Sequence, residues 1–429
     1  MSTKSSSKTS VIAMLLLLLL PAYDGVERRQ LSAIYKSDFE ALITRLQLDR
    51  ALDPSINLPE DSATAPAHKS IEEGINAKVA NSDLIASNAD NDHDENVASI
   101  ANNEFNLARS RCGLTTLTQD PELKAIALDH ANYIGYVFAN SAPTRFNPHY
   151  QHEIADIASV TGSNNPFFGG LDVKNRMFNA SYPNLSYGIT ENIAQTMYYH
   201  SAGRLISPTT AAISMAKSLL AAPYHLRSLM VPSSKVVGTA LIDYKPYDKE
   251  QSTNQGYVLV TNAAATKATK NAKFSGVFTY PCQGVTGTVT GLYNETPDPV
   301  RHSGRNLTTD PIGQPIYINV PEARSIKISN ISFYEVERNI TVPTQLLDFQ
   351  NDPYKNTEYQ LSKNEAFILP ITDLLNSCKS VIKKYNLSKA KNCGLHGNSE
   401  YQVSFDISID NKRLQTQSFS FITGETNYS

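Results

Sequence analysis

A chain of 429 residues is longer than a single hydrophobic core ordinarily serves, so two or three domains are expected. The formal net charge of −3, with no Lys/Arg cluster, lacks the electrostatic footprint of a nucleic-acid binder and excludes that class of partner. With 41% hydrophobic and 18% charged residues the composition is that of a globular protein, although the first hundred or so residues differ from the rest.

At the start, Lys4 and Lys8 precede the apolar run Val11 to Leu20 and then Pro21 and Ala22. That order of basic, apolar and small residues is the pattern of a secretory signal. The run is too short for a membrane-crossing helix, which needs about 20 apolar residues. Residues 1–25 are therefore read as a signal peptide, with an uncleaved anchor as the alternative and the only route to membrane attachment. In residues 26–96, Leu31, Ile34, Phe39, Leu42, Ile43, Leu46 and Leu48 fall near helical spacing and suggest one amphipathic helix. The stretch Asp53 to Asn96, rich in Ala, Asn, Ser and acids, is expected to be a disordered tether.

Order returns over 97–265. Val97, Ile100, Ala101, Phe105, Ala108 and Cys112 form a helical stripe ending before Gly113. Asp120-Pro121-Glu122 then supplies an N-cap, a proline at the first helical position and a first-turn acid. A third helix is expected from Pro208, capped by Ser207, with Ala211, Ala212, Met215, Leu219 and Ala222 on one face. Two β-branched segments follow, Val236 to Tyr244 and Tyr257 to Thr261. Beyond a polar linker, residues 274–425 alternate with period two, as in Ile316, Ile318 and Val320, or Tyr401, Val403, Phe405, Ile407 and Ile409 before an Asp410-Asn411 turn. About seven short strands in ~150 residues argue for a β-sandwich of immunoglobulin-like type, interrupted by a helix at Ile371 to Lys384.

The four cysteines, Cys112, Cys282, Cys378 and Cys393, have no CxxC or Cys/His spacing for a zinc site. In an oxidising compartment they can form two disulfides. Pairing Cys378 with Cys393 closes a local loop and leaves Cys112 for Cys282, one of three connectivities. No G-x-S-x-G setting surrounds Ser201, Ser207 or Ser218, so a serine nucleophile is not visible. His130 lies on the apolar face of its helix and reads as a core histidine.

Three ordered segments resemble the CAP superfamily of cysteine-rich secretory, antigen 5 and pathogenesis-related proteins. They are Asn106-Leu107-Ala108-Arg109 with Cys112-Gly113-Leu114 and Asp120-Pro121-Glu122-Leu123, then Glu191-Asn192-Ile193-Ala194, then Pro223-Tyr224-His225-Leu226-Arg227 with Val236-Val237-Gly238. Tyr280-Pro281-Cys282-Gln283-Gly284 and Glu295-Thr296-Pro297-Asp298-Pro299 are similar to the β-domain that follows it in some bacterial members. The resemblance implies an α+β fold: an α-β-α sandwich CAP domain followed by the immunoglobulin-like sandwich. It also implies a cleft of two His and two Glu. Glu191 and His225 match two of the four, His152 is taken as the earlier histidine and His149 is its competitor. Thr209 stands where the family's helix carries its second Glu, and Glu153 is the substitute acid. Arg176 and Asn192 are read as structural.

Such a cleft, by its chemistry, holds zinc or another divalent cation, or works as a His/Glu acid and base. The expected protein is a secreted, periplasmic or cell-surface binding module for a lipid or cell-surface ligand. A metal-dependent hydrolase and an adhesive spacer without cleft chemistry are the alternatives.

Overall fold

The computed structural model describes residues 88–198, 206–247, 254–375, 377, 390 and 392–427. The expected signal, the helix at Leu31 to Leu52 and the tether up to residue 87 lie outside them. The described part belongs to one compact unit, Ala86–Ser429. Its first helix, α1 (Asn88–Arg111), begins earlier than Val97, so the end of the expected tether is helical. The acid-rich sequence there suits a helix start through the macrodipole.

Chain order then gives β1 (Thr118–Gln119), α2 (Pro121–Asn140), α3 (Val173–Asn179), β2 (Ile189–Tyr198), α4 (Pro208–Leu219), α5 (Pro223–Leu229), β3 (Ser234–Tyr244) and β4 (Gln255–Ala265). Asp120 caps α2 by accepting from the backbone N–H groups of Glu122 and Leu123, and Ser207 caps α4 through Thr210. The expected third helix is α4, but it ends at Leu219 and Ala222 is instead the N-cap of a further helix, α5, which Pro223 starts.

The strands form one sheet in the order β1-β3-β4-β2, with β4 antiparallel to both β2 and β3. Every residue of β4 is buried, because the sheet is covered on both faces. Val258 and Val260 pack with Ala127, Ala131, Ile134 and Val137 of α2. Tyr257 and Leu259 point the other way, into a core shared with Phe105 of α1 and Met215 of α4. Three layers, helix, sheet and helices, result. The Val-Val-Gly motif has a steric cause: a Cβ on Gly238 would lie 2.1 Å from the Lys124 backbone nitrogen, so only glycine lets the first turns of α2 rest on β3.

The C-terminal region supplies nine strands among the described residues: β5 (Phe278–Tyr280), β6 (Val285–Thr288), β7 (Ile316–Asn319), β8 (Ile326–Glu335), β9 (Ile340–Thr341), β10 (Thr344–Asp348), β11 (Glu365–Pro370), β12 (Glu400–Ile409) and β13 (Gln415–Thr423). They make two sheets, β10-β11-β7-β5 and β6-β13-β12-β8-β9. Tyr317 and Phe367 of the first and Phe333, Tyr401 and Phe421 of the second share one core. Asp410 and Asn411 both take positive φ in a turn that the Lys412 N–H closes on the Ile409 carbonyl, as a type I′ turn requires. The expected helix at Ile371 to Lys384 does not begin there: Ile371 bridges to Ile312 in extended backbone, and residues 376 and 378–384 lie outside the described set.

Cys112 is bonded to Cys282, tying the end of α1 to the loop after β5. Cys393 is also disulfide-bonded; Cys378 lies outside the described residues. The apolar core is continuous across the two regions, running from Val97 through Leu229 to Phe421.

Candidate functional site

The site lies at β2, an edge strand of the first sheet. Strand alternation sends Glu191 and Ile193 to the side of α2, and Asn192 to the other side, where Ser228 of α5 donates to its Oδ1. The segment before α3 brings His149 against Glu191 and His225.

Glu191 is the hub. Its Oε1 lies 3.1 Å from His149 Nδ1, and Arg176 Nη2 donates to both carboxylate oxygens, at 2.8 and 2.6 Å. Arg176 comes from α3, which Asp172 caps. Burial raises the Glu191 pKa, but His130, Arg176 and His149 outweigh it and hold the carboxyl down at about 2. His130 is fully buried on α2, with Nε2 3.9 Å from Glu191 Oε2, beyond hydrogen-bond reach. Its Nδ1 lies 2.7 Å from Gln151 Nε2. Gln151 Oε1 accepts from the Gly169 and Gly170 N–H groups, which fixes the amide: its NH2 donates to His130, and the neutral ring carries its proton on Nε2. Burial lowers the His130 pKa to about 3.

His225 occupies the second half of the cleft. Its ring stacks at 6.1 Å, centroid to centroid, on that of His149. Its Nδ1 lies 3.3 Å from Oε1 of Glu295, which belongs to the C-terminal region. Burial, and then the neighbouring His149, lower its pKa to about 3, so the ring is neutral at ordinary pH. Side-chain exposure is 26% for His149 and 12% for His225, so both rings reach solvent while their carboxyl partners do not.

Helix α5 is held from both regions. The Arg109 guanidinium, fully buried at the end of α1, donates to the carbonyls of Leu229 and Val231 at 2.8 and 3.0 Å. Burial pushes its pKa down to about 10. From the other side, Tyr224 Oη donates to Asp352 at 3.1 Å, and Arg227 pairs with Glu365 at 2.8 Å. Sequence reasoning missed Glu295, although its Pro-rich motif stood out. It also set aside His130, which borders Glu191 as well as the core.

Two expected residues are elsewhere. His152 and Glu153 are exposed, and the His152 ring stacks on Tyr150 at 5.5 Å. The earlier histidine of the cleft is His149 instead. The reason is local: Gln151 is buried and anchored to Gly169 and Gly170, which turns its neighbour His152 outward. Arg176 is part of the site as the counter-ion of Glu191, and Asn192 underlies it through Ser228.

The residues present do not fit a protein-held zinc centre, which takes three or four protein donors. Glu191 is committed to Arg176 and His149, Glu295 sits behind His225, and no group of three His, Cys, Asp or Glu among the described residues converges on one point. What remains is a pair of stacked imidazoles, each with Nδ1 against a buried carboxyl. No curated protein matches the chain. Residues 103–263 match the family model of CAP, the cysteine-rich secretory protein family, and this is the segment that carries His130, His149, Arg176, Glu191 and His225.

Proposed function

We propose that the protein is an extracellular interaction module, exported to the cell surface, the periplasm or the medium, which engages an apolar partner surface through the face bearing the histidine cleft. The observation that carries this reading is the exposure of Phe167, Phe168, Leu171 and Phe178 in the segment that borders the cleft. Gly169 and Gly170, between these side chains, bind Gln151, and Asn179 donates to the Gly169 carbonyl at 2.8 Å, tying α3 to the same loop. Exposed aromatics grouped beside a few fixed polar acceptors are the makings of a binding surface. The bonded pair Cys112–Cys282 supports an oxidising compartment. No helix among the described residues is long and apolar enough to cross a membrane.

We read the two C-terminal sheets as an immunoglobulin-like sandwich and the pairing of regions as the bacterial kind of CAP protein. The donor set gives no support to a metal-dependent hydrolase. The test is flotation of the purified protein with phosphatidylcholine–sterol vesicles and its recovery on envelopes of the producing cells. Wild type is compared with the triple variant Phe167→Ser, Phe168→Ser, Phe178→Ser and with His149→Ala. Loss of either association in the triple variant supports the reading, and vesicle binding specifies lipid. Equal behaviour of all three proteins in both assays would leave the adhesive spacer as the better description.

A further inference from the structure

The second carboxyl of the cleft comes from outside the CAP-matching segment. Helix α5 begins without a side-chain cap of its own, since its N-cap residue is Ala222. Glu295 fills that role from the C-terminal region: Oε1 accepts the Tyr224 backbone N–H at 2.8 Å. The same oxygen lies 3.3 Å from His225 Nδ1. That oxygen has a second lone pair facing the ring nitrogen, and it is filled when Nδ1 donates. His225 is then the Nδ1–H tautomer, and its Nε2 is left as a lone-pair acceptor.

The arrangement matches the other half of the site. Glu191, an ionised carboxylate that can only accept, faces His149 Nδ1 at 3.1 Å, so His149 also carries its proton on Nδ1. We propose that Glu295 is a positioning residue contributed by the C-terminal region, which caps α5 and fixes His225 in the Nδ1–H form, so that the cleft presents the His225 Nε2 as an acceptor beside the His149 ring. The ligand class this suits is a hydrogen-bond donor, such as a hydroxyl or an amine.

The use of the site by a ligand rests on the interaction-module reading, but the tautomer does not, so the two can fail separately. The experiment is 15N NMR of the histidine rings in the full chain, for wild type, Glu295→Gln and Glu295→Ala, with assignments from His149→Ala and His225→Ala. Wild type is expected to show His225 protonated on Nδ1 alone. Glu295→Gln, whose amide oxygen still accepts, is expected to retain that state. Glu295→Ala is expected to mix the two tautomers of His225 and leave His149 unchanged. Should Glu295→Ala fail to fold, Glu295→Asp, which withdraws the acid by one methylene, is read in its place. A wild-type His225 protonated on Nε2, or one whose tautomer is indifferent to residue 295, overturns the proposal. Vesicle or envelope binding has no bearing on that result.

Discussion

The two carboxyls behind the cleft histidines are both buried, yet they stand in opposite electrostatic company. Glu191, inside the CAP-matching region, has the Arg176 guanidinium on both its oxygens and is held down at about 2. Glu295, from the C-terminal region, has only N–H donors, with Asp298 nearby, and burial pushes its pKa well up. Its Oε2 is buried without a hydrogen-bond partner. The comparison teaches that burial alone favours the neutral acid and that His130, Arg176 and His149 together reverse the sign at Glu191. Each acid nevertheless serves its histidine in the same way, by accepting from Nδ1.

The sharpest way to break the contrast is Arg176→Met. It leaves Glu191 as a buried carboxylate without its fixed cation, and removal of one partner from a buried pair costs about 3–5 kcal/mol. Urea unfolding at neutral pH is expected to register that loss, and a cost below about 1 kcal/mol would mean the pair is solvated as surface pairs are.

Acid comes next. His130 and His225 have folded pKa values lowered to about 3, against an unfolded value near 6.5. The unfolded chain therefore binds those protons first, and the stability present above about 6.5 is lost progressively as the pH falls toward 3. Glu191, also depressed, adds its own loss from about 4.5 down to about 2. Glu295 has the opposite sign: its raised pKa favours the fold at low pH and less so as the pH rises through the folded value. A stability curve followed by denaturant midpoint is expected to fall on acidification, and a flat profile between pH 6 and 4 would contradict neutral buried histidines.

The smallest effect expected is that of Glu295→Gln at about pH 5. The amide imitates the neutral acid and keeps an acceptor for Tyr224 and His225, so the change should stay within about 1 kcal/mol. The same substitution at Glu191 removes a charge that Arg176 needs, and should cost several times more.

Much of the fold was legible because its signals are local. Asp120-Pro121, Ser207-Pro208 and the β-branched runs mark helix starts and strands in one dimension. Pro223 marks a second helix as well, but Ala222 continues the apolar stripe of α4 and hides the break. In the site, Glu191 stood out by motif and His225 by its surroundings. The choice between His149 and His152 turned on a tertiary event, the anchoring of Gln151 to glycines later in the chain. Glu295 was beyond reach for a similar reason, since the pairing with His225 spans 70 positions and only the shared core of the two regions brings them together.

The central claim is most directly tested by 13C NMR of the glutamate carboxyls across pH in the intact protein, with Glu191→Gln and Glu295→Gln for assignment. The account predicts that Glu191 stays ionised down to about pH 2, while Glu295 takes up its proton above the ordinary carboxylate range. Both carboxyls titrating together near 4.5, the unperturbed glutamate value, would contradict it.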